Sequence, residues 1–230
     1  MYFRHSSDIW SEFPELAAGV LHVKGIHRDA SVAAHVAQFE AVAKARLADA
    51  AEGELPEIQA WRRAFSRMGL KPTQYRSASE ALLRRFRKEG TLPKIHPLID
   101  LCNAASLAFA VPVAVFDLAK VAGHLEVRHA AGDEIYVTFA GEIEHPEPHE
   151  VIYADVEGRA HARRWTNRQS GYSAVRDDTA SVLIVAEALH AGDEADVRRL
   201  VDDLQMAIRA IWSVDPGTAM LERSAPRFDF

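Results

Sequence analysis

Residues 98–117 read Leu-Ile-Asp-Leu-Cys-Asn-Ala-Ala-Ser-Leu-Ala-Phe-Ala-Val-Pro-Val-Ala-Val-Phe-Asp, and this stretch decides the fold. Apolar side chains recur at helical spacing as far as Ala110. Pro112 then excludes further helix and begins a short apolar strand. The pattern therefore predicts a buried helix that leads directly into a buried strand.

Two polar residues of this helix, Asn103 and Ser106, lie three positions apart and so on one face. Inside a core, each needs a hydrogen-bond partner, because an unpartnered buried polar group costs about 1–3 kcal/mol. One interpretation gives them backbone partners in a purely structural helix. The other interpretation places them in the wall of a small-molecule pocket.

Toward the N-terminus, residues 1–74 are predicted to add one strand and two helices to the same globule. Alternating apolar positions indicate a strand over residues 16–26, where Gly19 and Gly25 suit a bulge or a close backbone approach. Helical spacing of apolar residues then predicts one helix over residues 31–51 and another over residues 56–69.

The next helix is predicted over residues 75–87. Ser77 and Glu80 have capping-box spacing, and Gly90 stands where a left-handed residue ends a helix. Free N–H groups at the start of this helix, near Arg76 and Ser79, suit a phosphate or carboxylate. An ordinary helix cap is the alternative interpretation.

Toward the C-terminus, short apolar segments separated by Gly or Pro turns predict a series of strands between residues 113 and 188. A long amphipathic helix follows from an N-cap at Asp193 to about Trp212. The fold class is therefore α+β: a largely antiparallel sheet core packed by the central buried helix, with N-terminal helices and a long C-terminal helix. Residues 75–215 form the predicted core, and residues 216–230 form a tail that we expect to be irregular.

The charge distribution is uneven. The chain has a net charge of −6, yet the segment 62–94 holds ten Lys and Arg against two Glu, a balance of +8 that leaves −14 for the rest. A basic patch on an acidic body is typical of nucleic-acid binding, although solvated helix faces produce the same pattern. The residues predicted to contact RNA are Arg76, Arg84, Arg85, Lys88, Arg163 and Arg164.

The composition is that of an ordinary globular chain, with 230 residues of which 48% are hydrophobic. The longest apolar run is too short to cross a membrane, and charged residues occupy the first 20 positions where a signal peptide would be apolar. We therefore expect a cytoplasmic protein without a membrane partner. The single cysteine, Cys102, is predicted to be a structural thiol.

Standard catalytic and cofactor motifs are missing from the sequence. The best metal candidate, His145-Pro-Glu-Pro-His149-Glu150, contains two prolines that prevent helical ligand spacing, and no second Cys or His cluster accompanies it. There is no Walker loop, dinucleotide fingerprint or nucleophile elbow. We therefore predict neither a metal nor another cofactor.

Several segments resemble a known domain. Residues 100–117 resemble a segment of the B3/B4 domain in the beta subunit of bacterial phenylalanyl-tRNA synthetase, with Asn103, Pro112, Phe116 and Asp117 aligned without a gap. Residues 151–155 and 178–187 resemble two later strands of that domain. Free-standing B3/B4 proteins are similar also at Tyr75-Arg-Ser-Ala-Ser79 and Arg163-Arg-Trp-Thr-Asn-Arg-Gln-Ser170.

The resemblance implies a tRNA-binding fold that hydrolyses mischarged aminoacyl-tRNA, with the aminoacylated 3′ end and an amino-acid-like small molecule as partners. The sequence departs from the synthetase at two groups: Ala114 replaces the family histidine, and the longer run Arg168-Gln169-Ser170-Gly171 replaces the glutamate segment. Tyrosine-specific editing therefore does not carry over. A binding module without hydrolysis is the alternative function. The predicted catalytic residues are Gln169, Ser170 and Thr179, and the predicted substrate-binding residues are Asn103, Ser106, Trp165, Arg168 and Asp178.

Overall fold

The computed structural model describes residues 1–230. Its helices are α1 (Ser7–Glu12), α2 (Ala33–Asp49), α3 (Pro56–Arg67), α4 (Ala78–Glu89), α5 (Pro97–Phe109) and α6 (Asp193–Trp212). Its strands are β1 (Tyr2–His5), β2 (Ala17–Lys24), β3 (Val113–Asp117), β4 (His124–His129), β5 (Ile135–Val137), β6 (Ile143–Glu144), β7 (Val151–Ala154), β8 (Arg159–Arg163), β9 (Arg168–Gln169), β10 (Ser181–Ala188), β11 (Gly217–Leu221) and β12 (Arg227–Asp229).

The strands form two sheets. The larger has the order β12-β1-β4-β7-β8-β5-β6, with β9 paired to β8, and the smaller has the order β11-β2-β10-β3. Neighbouring strands are antiparallel except for the pairs β1–β4 and β5–β8. The predicted α+β class with a largely antiparallel sheet core is confirmed.

The central stretch folds as its sequence predicts. Helix α5 begins with Pro97 in its first turn, and the left-handed Ala110 (φ 55°) ends it before strand β3. The hydroxyl of Ser106 donates to the Val111 carbonyl at 2.7 Å, so this residue has the backbone partner of the structural interpretation. Burial raises the pKa of the Cys102 thiol, as expected for a structural cysteine.

Strand β10 organises two cores because its side chains alternate between faces. Val182 and Ile184 point to one side and pack with helices α5 and α6. Leu183 and Val185 point to the other side and pack against the larger sheet. The space between the two sheets is therefore a hydrophobic core. Any polar group on the face of β10 that carries Leu183 and Val185 is buried in this core.

Helix α6 crosses the smaller sheet closely at Gly19 of β2. A Cβ atom at this position would lie 2.5 Å from Cγ2 of Val201, so only glycine fits. The sequence predicted either a bulge or a close backbone approach here, and β2 pairs with β10 in continuous register from Ala17 to Lys24. The close approach is the reason for the glycine.

The ends of the chain differ from the prediction. Residues 216–230 were expected to be irregular, but they form strands β11 and β12, which pair with β2 and β1. Helix α6 begins at Asp193, but its N-cap is the left-handed Gly192 instead of Asp193. No helix combines the length and the apolar character needed to cross a bilayer.

Candidate functional site

A small cleft opens between the two sheets beside the segment 165–169. Ala114 of β3 and Glu187 of β10 form its floor, both on strand faces that point between the sheets. Its volume is about 60 Å³, which has room for only a few water molecules. The lining residues are Ala78, Pro112, Val113, Ala114, Tyr153, Ala162, Trp165, Thr166, Asn167, Arg168, Gln169, Val185 and Glu187.

The Glu187 carboxylate is 1% exposed and accepts hydrogen bonds from three side chains. His5 Nε2 lies 2.6 Å from Oε1, Trp165 Nε1 donates to the same oxygen at 2.9 Å, and the Tyr153 hydroxyl donates to Oε2. Burial, together with the nearby carboxylate, raises the pKa of Tyr153 well above its usual value. Tyr153 therefore stays protonated and fixes the end of β10.

A strained turn brings Trp165 into this network. Arg164 and Trp165 both have positive φ, 46° and 56°, which is uncommon for residues other than glycine. The Trp165 N–H donates to the Val151 carbonyl at 2.7 Å, and its ring packs edge-on against Trp61 at 5.1 Å between centroids. The turn thus places the indole of Trp165 inside the core and directs the following residues toward the cleft.

Two side chains of the cleft wall have unused hydrogen-bonding groups. The Gln169 amide nitrogen donates to the Val115 carbonyl, while the amide oxygen bonds to no group of the chain. The Tyr136 hydroxyl donates a hydrogen bond to the backbone carbonyl of Gln169 at 2.8 Å. The Thr166 hydroxyl is buried without a partner. Gln169 is therefore the group able to orient a water molecule in the cleft.

The start of helix α4 flanks the mouth of the cleft. The Asn167 amide donates to the Arg76 carbonyl at 2.7 Å, and the Ala78 N–H donates to the Thr166 carbonyl at 2.8 Å. Ser77 is buried and accepts from the Glu80 N–H, so it is an ordinary N-cap. On the other flank, exposed Arg168 pairs with Glu144 at 3.1 Å.

The predicted site residues are only partly brought together. Trp165, Arg168 and Gln169 line the cleft, whereas Asn103 lines a separate hollow of about 280 Å³ and Asp178 a third one. The Asn103 amide has no partner within the chain. The predicted substrate-binding residues therefore line three separate hollows and do not form one continuous pocket.

Two of the predicted catalytic hydroxyls lie outside the cleft lining and are already bonded. Ser170 donates to the Val137 carbonyl at 2.7 Å and accepts from the Tyr172 N–H. Thr179 donates to Asp117 Oδ2 at 2.8 Å and accepts from the Arg176 N–H. Both hydroxyls hold the loops that frame the site, and a catalytic role for either stays a prediction.

The residues predicted to contact RNA differ in how freely they can do so. Arg163 is buried and makes a bidentate ion pair with Glu150, in which Nε donates to Oε1 at 3.0 Å and Nη2 donates to Oε2 at 2.9 Å. Arg164 stacks over the Tyr75 ring at 4.6 Å and is half-buried. On the exposed face of α4, Arg84 pairs with Glu52 and Arg85 with Glu89, while Lys88 has no acidic partner.

Glu187 and Thr166 were not among the predicted site residues. Glu187 could have been noticed, because a charged residue within the apolar strand 181–188 must have partners in the core. Thr166 gave no such signal, since a threonine beside a basic segment is ordinary. The best metal candidate of the sequence, the loop 145–150, connects β6 to β7, and His145 Nδ1 there bonds to the Glu134 carbonyl at 3.0 Å.

Two comparisons relate the chain to known proteins. A family model described as the B3/4 domain matches residues 60–206, which include every residue of the cleft lining. The fold is similar to that of an N-terminal fragment of the phenylalanyl-tRNA synthetase beta subunit from Pyrococcus horikoshii, with a TM-score of 0.51 and 10% identity. That similarity covers 95% of this chain and 53% of the fragment, so the chain spans about half the fragment's length. The comparison with curated proteins gives no match.

Proposed function

Because the chain belongs to the B3/4 domain family, we propose that it binds the aminoacylated 3′ end of a tRNA at the inter-sheet cleft and hydrolyses the ester of a mischarged amino acid. One observation supports this location most strongly: Gln169, with a free amide oxygen, lines the same cleft as Ala114, the position of the family histidine. A tRNA substrate would place the protein in the cytoplasm.

In the proposed reaction, water attacks the carbonyl carbon of the aminoacyl ester. The bond from this carbon to the ribose oxygen breaks, and that oxygen takes up a proton, which releases a free amino acid and an intact tRNA. The Gln169 amide oxygen would orient the water. Ser170 and Thr179 would contribute by holding the surrounding loops. With Ala114 in place of a base, the rate would show no histidine-like inflection near about pH 6–7.

The size of the cleft favours a small side chain on the substrate. About 60 Å³ does not accommodate a tyrosine ring, and the walls are fixed by the buried Glu187 network. A screen over tRNAs that carry amino acids of increasing size should therefore give the fastest deacylation for the smallest side chains. Fastest deacylation of aromatic aminoacyl-tRNA would contradict a closed cleft.

The decisive variant is Gln169→Ala. We expect single-turnover deacylation to fall by about ten- to a hundredfold, because one hydrogen bond in the transition state contributes about 1.5–3 kcal/mol. Gln205→Ala is the matched control, since Gln205 is also half-buried and donates its amide to a backbone carbonyl, that of Pro216, far from the cleft. Equal rates for both variants and the unmodified protein would exclude Gln169 from the reaction.

A non-catalytic binding module is the second candidate function, and Ala114 favours it because no ionisable side chain occupies the family histidine position. Tight binding of charged tRNA without deacylation of any member of the panel would select this function. Deacylation that depends on Gln169 would exclude it.

The exposed face of α4 is the proposed contact surface for the tRNA backbone. Arg85→Glu combined with Lys88→Glu should weaken tRNA binding and flatten its salt dependence, by roughly 0.9 in slope for each lost contact with a duplex phosphate. Arg198→Glu is the control, because Arg198 on α6 forms the same kind of exposed intrahelical pair with Glu194 as Arg85 forms with Glu89. A filter-binding titration over a range of salt concentrations distinguishes them, and an unchanged slope would remove α4 from the interface.

A further inference from the structure

Three potential metal ligands meet on the helical side of the smaller sheet. Glu57 lies in the first turn of α3, His190 in the loop after β10, and Asp196 in the first turn of α6. One ligand atom from each lies within 4.8 Å of the other two. His190 Nε2 and Asp196 Oδ2 are 2.8 Å apart. The cluster therefore has the ligand types and the compactness of a mononuclear site.

The cluster contains buried polar atoms that the protein leaves without partners. Glu57 and His190 are each 6% exposed. Glu57 Oε2 and His190 Nδ1 are buried and have no hydrogen-bond partner. Acidic residues are common in the first turn of a helix, but there they are normally solvated. His190 faces Asp196 with Nε2, so its free Nδ1 lies on the other side of the ring. The free Glu57 Oε2 is the atom that points to a missing ligand in this buried cluster.

Two arginines already hold the other oxygen of each carboxylate. Arg46 donates to Glu57 Oε1 at 2.6 Å and also binds the Ala108 carbonyl at 2.9 Å, and Arg199 donates to Asp196 Oδ1. These contacts fix the orientation of both carboxylates and leave Glu57 Oε2 and Asp196 Oδ2 directed away from the arginines. Outer contacts of this kind commonly orient metal ligands.

The cluster has access to solvent on one side. Glu57 and Asp196 line a groove of about 840 Å³ between α2 and α6, which Arg46 and Arg199 also line. An ion held by three protein ligands would therefore keep one coordination position open toward the groove. Three protein ligands with one open position are the arrangement of catalytic zinc sites.

We propose that Glu57, His190 and Asp196 bind a divalent transition-metal ion of the zinc class, with a water molecule at the fourth position facing the groove. Ligand atoms in a tetrahedral zinc site lie about 3.4 Å from one another, so small side-chain movements bring these three into place. A mixed imidazole and carboxylate set favours zinc and its neighbours, whereas magnesium and calcium prefer oxygen ligands alone. This site is separate from the inter-sheet cleft and does not depend on the function proposed there.

The test is a Zn²⁺ titration of the untagged, chelator-treated protein of residues 1–230, in competition with a chromophoric chelator. We expect one saturable Zn²⁺ per chain and a rise in thermal midpoint on binding. Asp196→Asn and Glu57→Gln should each lower the affinity by at least about tenfold. Asp196 is half-buried, so its variant should fold normally, which far-UV circular dichroism without metal would verify.

Two control variants make the result specific. Asp203→Asn removes an acid that lines the same groove outside the cluster, and it should bind Zn²⁺ like the unmodified protein. His149→Ala breaks the surface pair of His129 and His149, and it should also bind normally. The proposal is overturned if the unmodified protein shows no saturable Zn²⁺ binding, or if His149→Ala abolishes binding while Asp196→Asn retains it.

Discussion

Glu187 and Glu57 are both almost completely buried, 1% and 6% exposed, yet their surroundings differ. Glu187 accepts from His5, Tyr153 and Trp165, so both of its oxygens have partners. Glu57 accepts only from Arg46, and its second oxygen has none. Burial alone is therefore a poor guide to function, because the partners decide what a carboxylate can still bind.

The difference separates a carboxylate that positions its neighbours from one that can take a ligand. Removing a fully partnered acid leaves its hydrogen-bond donors buried in the core without an acceptor. Removing a partly partnered acid also removes an unsatisfied oxygen, so the free energy of unfolding falls by less. Stability measurements can therefore test the comparison without any knowledge of substrate.

The largest expected effect is that of Glu187→Ala. We expect a loss of about 3–5 kcal/mol in the free energy of unfolding, since Trp165 and Tyr153 are left as buried donors without an acceptor. Glu57→Ala should cost only about 1–2 kcal/mol. Urea denaturation of both variants in metal-free buffer measures the contrast, and equal losses would break the comparison.

A smaller effect is expected from Tyr153→Phe, which removes one donor from Glu187. The expected loss is about 1.5–3 kcal/mol, because the hydrogen bond ends on a carboxylate. Tyr136→Phe is the matched control: its hydroxyl donates to the neutral Gln169 carbonyl, so about 0.5–1.5 kcal/mol should be lost. A greater loss for Tyr136→Phe would show that the Glu187 network contributes little.

Asp155 extends the comparison to pH. Burial opposes its ionisation, but hydrogen bonds from His161 and from the Arg159 and Ala122 N–H groups prevail and lower its pKa from 3.8 to about 2. Its stabilising contribution is thus fully present above the unfolded value and is lost as the pH falls through about 2. Unfolding free energies of the unmodified protein and Asp155→Asn should differ at pH 5 and converge between about pH 4 and 2.

The pKa of Asp203 is shifted in the opposite direction from that of Asp155. Burial and the neighbouring Asp202 raise its pKa, so its charge destabilises the folded protein at neutral pH. Asp203→Asn should therefore be slightly more stable than the unmodified protein at pH 7, and this gain should disappear as the pH falls below 3.8, the ordinary value. A pH-independent difference for either variant would contradict the assigned ionisation.

Much of the fold could be predicted because its signals are local. The helix–strand stretch 98–117 follows from periodicity and proline, and helix α6 follows from periodicity. The resemblance to the B3/B4 domain is confirmed by the family match. Strands β1, β11 and β12 escaped prediction because they are short and partly polar. Pairing between the two ends of the chain stabilises β1 and β12, and no local pattern reports it.

The candidate site was only partly predictable. The resemblance identified the segment around Gln169, and the structure brings that residue to the cleft. It could not reveal that Asn103 faces a different hollow, because helix spacing fixes the face of a helix and not its neighbours. Glu57, His190 and Asp196 come from separate elements, so only the packing of α3 against the end of β10 brings them together.

Strand β10 has a consequence for communication across the molecule. Glu187 lies in the cleft near the end of β10. His190 follows three residues later and belongs to the cluster with Glu57 and Asp196, so about 10 Å of backbone connects the two residues. Thermodynamic linkage requires reciprocity between two such sites. If the cleft binds a tRNA end and His190 an ion, as proposed, the factor by which the ion changes the affinity for the tRNA end must equal the factor by which the tRNA end changes the affinity for the ion.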